Sequence, residues 1–206
     1  MLPKIYNRSI IIYVCDMSNF EASIIPEVFE MVEKNKHRLI LVANKVDAIP
    51  QGYKEDTLQL WVKKQVQNYF KDFDSLEQVN ICLTSAKKAT GIGKIFTILD
   101  RMKADFRMQK LRHIPKVYVM GTTNSGKSAL LNSMLYVQGK KKKVSKGNRS
   151  QATQLTESAL PGTTQEMLTI EEFSIGFRVI DTPGIPNINQ VISHVASFKE
   201  LAKILP

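Results

Sequence analysis

The sequence predicts an α/β fold, a three-layer sandwich with helices on both faces of a six-stranded, mostly parallel sheet. Three observations predict it. Short β-rich apolar runs alternate with segments of helical period along the 206 residues. Gly121-Thr122-Thr123-Asn124-Ser125-Gly126-Lys127-Ser128 separates one such run from a helical stretch. Asn44-Lys45-Val46-Asp47 stands at the end of another.

Ser9 to Asp16 is a strand, an unbroken apolar run suited to burial on both faces. Ile24 to Asn35 follows as a helix, with Pro26 tolerated in its first turn. Arg38 to Ala43 is the second buried strand and leads into a loop through Pro50 and Gly52. Thr57 to Phe70 is a helix carrying Leu58, Trp61, Val62 and Val66. Val79 to Leu83 is a strand. The next helix, Gly93 to Leu111, has an apolar side of Ile92, Ile95, Phe96, Leu99, Met102 and Phe106. Lys116 to Met120 is a strand and Lys127 to Val137 a helix. From Gly139 to about Thr156 the chain is rich in Gly, Ser, Asn and Gln and is expected to be a disordered loop. Met167 to Phe173 and Phe177 to Ile180 form a hairpin-like pair around Ser174-Ile175-Gly176, and Asn189 to Leu205 is a closing helix. Five strands are then parallel and one antiparallel, in a single domain over residues 1–206.

The pattern G-x-x-x-x-G-K-[ST] between strand and helix is the phosphate loop of a P-loop NTPase. Its glycines, Gly121 and Gly126, let backbone N–H groups close around phosphate oxygens, helped by the helix N-terminus at Ser128 and Ala129. Lys127 is placed to reach the β- and γ-phosphates, and the Ser128 hydroxyl to ligate Mg²⁺.

The earlier motif supplies base selectivity. The Asp47 carboxylate can accept from guanine N1–H and the N2 amino group, and adenine presents no such donor pair. Asn44 can bond the base edge, and the Lys45 stem can cover the ring face. Ser85-Ala86-Lys87, after the third strand, is where a supporting base loop is expected, with the Ala86 N–H toward the guanine oxygen. Asp181-Thr182-Pro183-Gly184 follows the last strand and supplies a Mg²⁺-side aspartate and a γ-phosphate-sensing glycine, Gly184. Pro161-Gly162-Thr163-Thr164 lies between these loops, and Thr164 is expected to complete the Mg²⁺ shell, unless the segment is only a turn.

The base-reading motif precedes the phosphate loop, the reverse of an ordinary GTPase. That order resembles the circularly permuted Ras-like GTPases. Val14-Cys15-Asp16 with Asn19-Phe20 and Ser23, Ala43 through Pro50, Trp61, Val117 through Asn124, and Asp181 through Ile185 are most similar to the YqeH family, which includes the nitric oxide associated proteins of mitochondria and plastids. The resemblance covers nearly the whole chain. It implies GTP/GDP and Mg²⁺ as ligands and a role in ribosome assembly at the small subunit. It also implies a four-cysteine zinc element and a C-terminal domain in relatives, neither of which has a counterpart in these 206 residues. The chain is therefore expected to be the GTPase core.

Position 185 is isoleucine, where Ras-like enzymes carry the glutamine that orients water. The resemblance to hydrophobic-substituted GTPases implies slow hydrolysis. Asn124 is the residue that related enzymes use beside K⁺; its alternative role is to shape the loop in a left-handed backbone.

Charged residues make up 23% of the chain and apolar residues 43%, a balance suited to a folded domain. The net charge of +10 points to an anionic partner, ribosomal RNA or the small subunit. Lys140 to Lys143, with Lys146 and Arg149, is the densest basic cluster; Arg101, Lys103, Arg107, Lys110 and Arg112 form a second along a helix. Each has the alternative of a plain solvated surface. No apolar run reaches membrane-span length, no signal peptide is evident, and Cys15 and Cys82 lack metal-ligand spacing. These features suggest a monomer in a reducing compartment, cytoplasmic or organellar. His37, His113 and His194 are scattered and expected at the surface or at helix ends. Against the GTPase reading stand a GTP-dependent binding module with negligible turnover and a folded, non-functional remnant.

Overall fold

Side chains alternate across a strand, and that alternation divides the core in two. Ile10, Ile12 and Val14 pack on one face of the first strand, Ile11, Tyr13 and Cys15 on the other, all fully buried. Burial on both faces is what a central parallel strand requires.

The computed structural model describes residues 5–6, 8–50, 52–69, 79–108, 115–145, 168–170, 173 and 176–186. Strand β1 (Ile10–Asp16) is followed by a 3-10 turn at Met17–Asn19 and a short helix α1 (Phe20–Ser23). Then come α2 (Pro26–Lys34), β2 (Arg38–Asn44), α3 (Glu55–Gln67), β3 (Asn80–Leu83) and α4 (Ile92–Met108). The rest is β4 (Val117–Gly121), α5 (Lys127–Ser145), β5 (Leu168–Ile170) and β6 (Val179–Asp181).

The six strands lie in the order β3-β2-β1-β4-β6-β5. All neighbours are parallel except β5 and β6. Ile12 sits opposite both Ile40 and Val119, so β1 is the sheet's inner rail. One cluster places α4 and α5 under the sheet through Ile95, Leu99, Leu130 and Met134. The other places α1, α2 and α3 above it through Phe20, Phe29, Val62 and Val66. This is the three-layer sandwich expected from the sequence, and the apolar side of α4 is buried as its spacing predicts. No described helix is long and apolar enough to cross a membrane.

Three expectations change. Helix α5 continues to Ser145, so 139–145, including Lys140 to Lys143, are helical rather than loop. Lysine is a good helix former, and cations complement the negative C-terminal end of the helix dipole. His37 is buried, because its Nδ1 accepts the Ser9 N–H at 3.1 Å where β2 begins. The region between β1 and α2 is also more structured than expected: Ser23 Oγ donates to Asn19 O at 2.9 Å and accepts from Asp16 N at 3.0 Å. Thr164, Lys146, Arg149, Lys110, Arg112, His113, His194 and the Asn189–Leu205 helix lie outside the described residues.

Phe29 is fully buried between the Tyr13 ring, edge-on at 5.6 Å, and the Tyr69 ring, stacked at 5.6 Å. Phe29→Ala should cost about 3–5 kcal/mol through lost transfer energy and a cavity. Urea unfolding of the nucleotide-free chain measures it.

Candidate functional site

Parallel strands deliver their C-terminal ends to one edge of the sheet, where ligands of open α/β folds bind. Here that edge gathers Asp16 from β1, Asn44 from β2, Thr84 and Ser85 after β3, Gly121 from β4 and Asp181 from β6.

Asn44 is buried among three loops. Its Oδ1 accepts from Ala86 N at 3.0 Å and from Thr84 Oγ1 at 3.2 Å. Its Nδ2 donates to Ser125 O in the phosphate loop at 3.2 Å. This corrects the sequence reading of two residues. Asn44 is first a strut between loops, and the Ala86 N–H is already committed to it. A guanine oxygen can use that N–H only by sharing it. The amide keeps one further N–H for a base edge.

Lys45 adopts a left-handed backbone, φ 65° and ψ 33°, which turns its stem back toward the phosphate loop. Its Nζ donates to Asp16 Oδ2 at 2.7 Å and to Asn124 O at 2.8 Å. Asp47 is partly exposed. A hydrogen bond from the Ser85 side chain holds its carboxyl below the usual range, against a small opposing effect of burial; its own backbone N–H and the Lys88 and Lys87 charges add to the lowering. An ionised acceptor therefore faces outward at the position assigned to base reading. Lys87 itself is exposed.

In the phosphate loop Gly126 has φ 92°, and a Cβ there would collide with Asn44 Nδ2. Glycine is required on both counts. Asn124 has φ 60°, the left-handed region that asparagine tolerates, so its loop-shaping role is real. Lys127 is buried and donates to Thr122 O at 2.9 Å and Gly121 O at 3.2 Å. Burial pushes its ammonium down to about 8, with the Asp181 charge opposing. Burial also pushes Asp181 up to about 6, against the lowering effect of Lys127 and the Thr182 N–H. Asp181 Oδ1 and Thr122 Oγ1 are buried with no hydrogen-bond partner among the described residues. Ser128 and Ala129 are half-buried in the first turn of α5.

The Asp181–Gly184 segment is stitched to this loop. Thr182 Oγ1 donates to Val119 O at 2.8 Å, Ile185 N to Gly121 O at 3.0 Å, and Thr123 N to Ile185 O at 3.2 Å. A Cβ on Gly184 would stand 3.1 Å from Lys127 Nζ and 3.0 Å from Thr123 Cγ2. The Ile185 side chain is buried in the cluster above the sheet.

The chain is similar to known GTPases. The family described as "50S ribosome-binding GTPase" matches residues 116–205. YqeH of Bacillus subtilis (strain 168) is 29% identical over 198 residues, 96% of this chain and 46% of that protein. NO-associated protein 1, chloroplastic/mitochondrial, of Arabidopsis thaliana is 27% identical over 180 residues, 87% of this chain and 29% of that protein. At 96% coverage, the similarity to YqeH spans both the Asn44–Asp47 and the Gly121–Ser128 segments of this chain. These similarities bear out the resemblance to the circularly permuted GTPases of the YqeH family that the motifs carry. It spans less than half the length of these relatives. The crystal structure of YjeQ from Thermotoga maritima aligns with 89% of the chain and 50% of its own at a TM-score of 0.47 and 23% identity, too distant to add to the fold described above.

Asn44 and Ser125 are 81 residues apart in the chain yet hydrogen-bonded. Of the residues singled out in the sequence, the structure unites Asn44, Lys45, Asp47, Ser85, Ala86, Gly121, Asn124, Ser125, Gly126, Lys127, Asp181 and Gly184 on this edge. Sequence reasoning gave no role to Asp16, Thr84 or Thr182. A polar residue closing an apolar strand was the available signal for Asp16, and a threonine directly after a strand or an aspartate the signal for the other two.

Asn44→Ala should leave Ser125 O, the Ala86 N–H and the Thr84 hydroxyl without their buried partner. The expected loss is about 2–4 kcal/mol, since each orphaned group costs roughly 1–3 kcal/mol before relaxation. Asn44→Asp keeps the acceptor but sets a carboxylate against Ser125 O, and should be destabilised as well. Urea unfolding without nucleotide separates this from any effect on base binding.

Proposed function

We propose that the domain binds GTP and GDP, hydrolyses GTP slowly, and acts as a nucleotide-dependent switch on a ribosomal subunit. The observation that carries the reading is the Asn44 amide, which bonds the phosphate loop and the Ser85-Ala86-Lys87 loop at once. Base and phosphate subsites are thereby held at one edge.

Asp47 takes the guanine N1–H and N2 amino group. Lys45 covers the ring, and Ser85, Ala86 and Lys87 frame it. The backbone of Gly121 to Ala129 cradles the phosphates, with Lys127 turning from its carbonyl acceptors to the stronger phosphate oxygens. The orphaned Asp181 Oδ1 and the Ser128 hydroxyl are hard oxygen donors and suit Mg²⁺, which would screen the phosphate charge. Thr164 is proposed as a further ligand and Gly184 as the γ-phosphate sensor. With Ile185 buried, no side chain at that position orients water, and Asn124 is proposed to accept K⁺ beside the phosphates.

The small subunit is the partner implied by the YqeH resemblance, whereas the matching family's description names the 50S subunit. Co-sedimentation of the GTP-bound protein with each isolated subunit decides between them. Binding to neither would favour the remnant reading.

Base choice is tested with wild type and Asp47→Asn. Wild type should bind GDP and not ADP. The variant should lose GDP by a hundredfold or more, on the order of what a lost buried polar pairing costs, and gain xanthosine diphosphate. Wild-type binding of ADP as tight as GDP would reject the assignment.

A carboxyl raised to about 6 must lose its proton before it can ligate Mg²⁺. The Mg²⁺-dependent gain in GTP affinity should be full above that pH and fall about tenfold per unit below it. Asp181→Asn should abolish the gain and flatten the profile relative to wild type, as read by titration calorimetry.

Basal turnover should be on the order of 10⁻⁴ s⁻¹, the unassisted rate of a GTPase lacking its activator. KCl should raise it over NaCl at equal ionic strength, and Asn124→Ala should erase the difference. Any stimulation by ribosomal subunits should fall steeply with salt if it depends on phosphate contacts by the Lys140 to Lys143 segment.

A further inference from the structure

The base-reading lysine is anchored from a strand that carries none of the nucleotide motifs. β1 ends at Asp16, whose carboxylate divides its two oxygens. Oδ1 accepts from Ser18 N at 2.9 Å and Ser18 Oγ at 2.5 Å, as the cap of the following turn. Oδ2 takes the Lys45 ammonium at 2.7 Å. The backbone at this point is pinned as well, since Asp16 N donates to Ser23 Oγ at 3.0 Å. Tyr13, fully buried in the same strand, donates its hydroxyl to Ser23 O at 2.6 Å and braces α1 from beneath. The carboxylate is therefore aimed before Lys45 meets it.

Lys45 then spans to Asn124 O at 2.8 Å, in a residue whose own backbone is left-handed. The side chain of Asp16 is 14% exposed and that of Lys45 38%. The pair is thus more sheltered than a surface ion pair, and each partner is additionally hydrogen-bonded, the conditions under which such a pair has measurable effect. Among the described residues, Asp16 is the one negatively charged group that Lys45 contacts.

We propose that Asp16 is a positioning residue for nucleotide binding. It holds the Lys45 ammonium on the Asn124 carbonyl, so that the lysine stem lies over the base subsite while the phosphate loop keeps its left-handed turn. The inference rests on the guanine-nucleotide reading above and deepens it by naming the group that couples the two subsites. Freed from Asp16, Lys45 loses its charged anchor and the loop loses a clamp. Bound nucleotide then leaves faster, while the chemical step, which takes place at the phosphates, changes little.

The test measures release of a fluorescent GDP analogue from the full chain in wild type, Asp16→Asn, Lys45→Met and the double variant. Asparagine keeps the acceptor for Ser18 and removes the charge; methionine keeps the stem and removes the ammonium. Asp16→Asn should speed release about tenfold, raise KM for GTP correspondingly and leave kcat within about twofold, a tenfold change being about 1.4 kcal/mol. In the Lys45→Met background Asp16→Asn should add nothing, the signature of two residues acting through one contact. Equal effects of Asp16→Asn in both backgrounds would show Asp16 to be only a turn cap and overturn the proposal, as would unchanged release in Asp16→Asn. Ser18→Ala, which weakens the cap alone, should leave release near wild type. Failure of wild type to bind the GDP analogue would instead refute the guanine-nucleotide reading.

Discussion

The site depends on one buried amide. Asn44 has a donor and an acceptor on the same planar group, and the two loops it bonds, the one after β3 and the phosphate loop, need both. A hydrophobic residue there would strand polar groups away from water, and a carboxylate would repel the Ser125 carbonyl. The requirement extends to Gly126, whose lack of a Cβ is what lets Asn44 approach the phosphate loop. The two subsites are therefore set by mutual contact and not separately by their own strands.

Around that strut the electrostatics would suit the proposed ligand, one that brings negative charge and a divalent cation. Lys127 and Asp181 are both buried and each is pushed by burial toward its neutral form. They moderate one another, but among the described residues Lys127 is hydrogen-bonded only to neutral carbonyls and Asp181 Oδ1 has no partner. Such a pair is costly to leave unused. Phosphate beside the lysine and a hard cation beside the carboxylate would relieve both costs. Asp47 differs because it is partly exposed and held ionised by Ser85. It is suited to hydrogen-bonding a neutral base edge.

The reversed motif order has no physical consequence for these contacts. A hydrogen bond between β2 and the phosphate loop is insensitive to which segment was made first. The permutation instead affects what is connected to what. The Asp181–Gly184 segment lies directly against the phosphate loop through Ile185 and Thr123.

Much of this was legible in the chain. The strands could be read because Ile10–Cys15 and Arg38–Asn44 are apolar runs bounded by polar residues, and the alternation of their side chains between the two core layers follows from strand geometry alone. The phosphate loop could be read because its glycine spacing is a local backbone requirement. The limits of α5 could not, since lysines after Gly139 are compatible with both a solvated loop and a helix end. Nor could the partners of Asn44, the burial of His37 or the aim of Asp16. The sequence by itself determined which chemical groups stand at each strand end. The tertiary structure decided which of them share a hydrogen bond, because the deciding contacts, Asn44 to Ser125 and Asp16 to Lys45, join residues 81 and 29 positions apart, and no local pattern encodes which distant loop a side chain will meet.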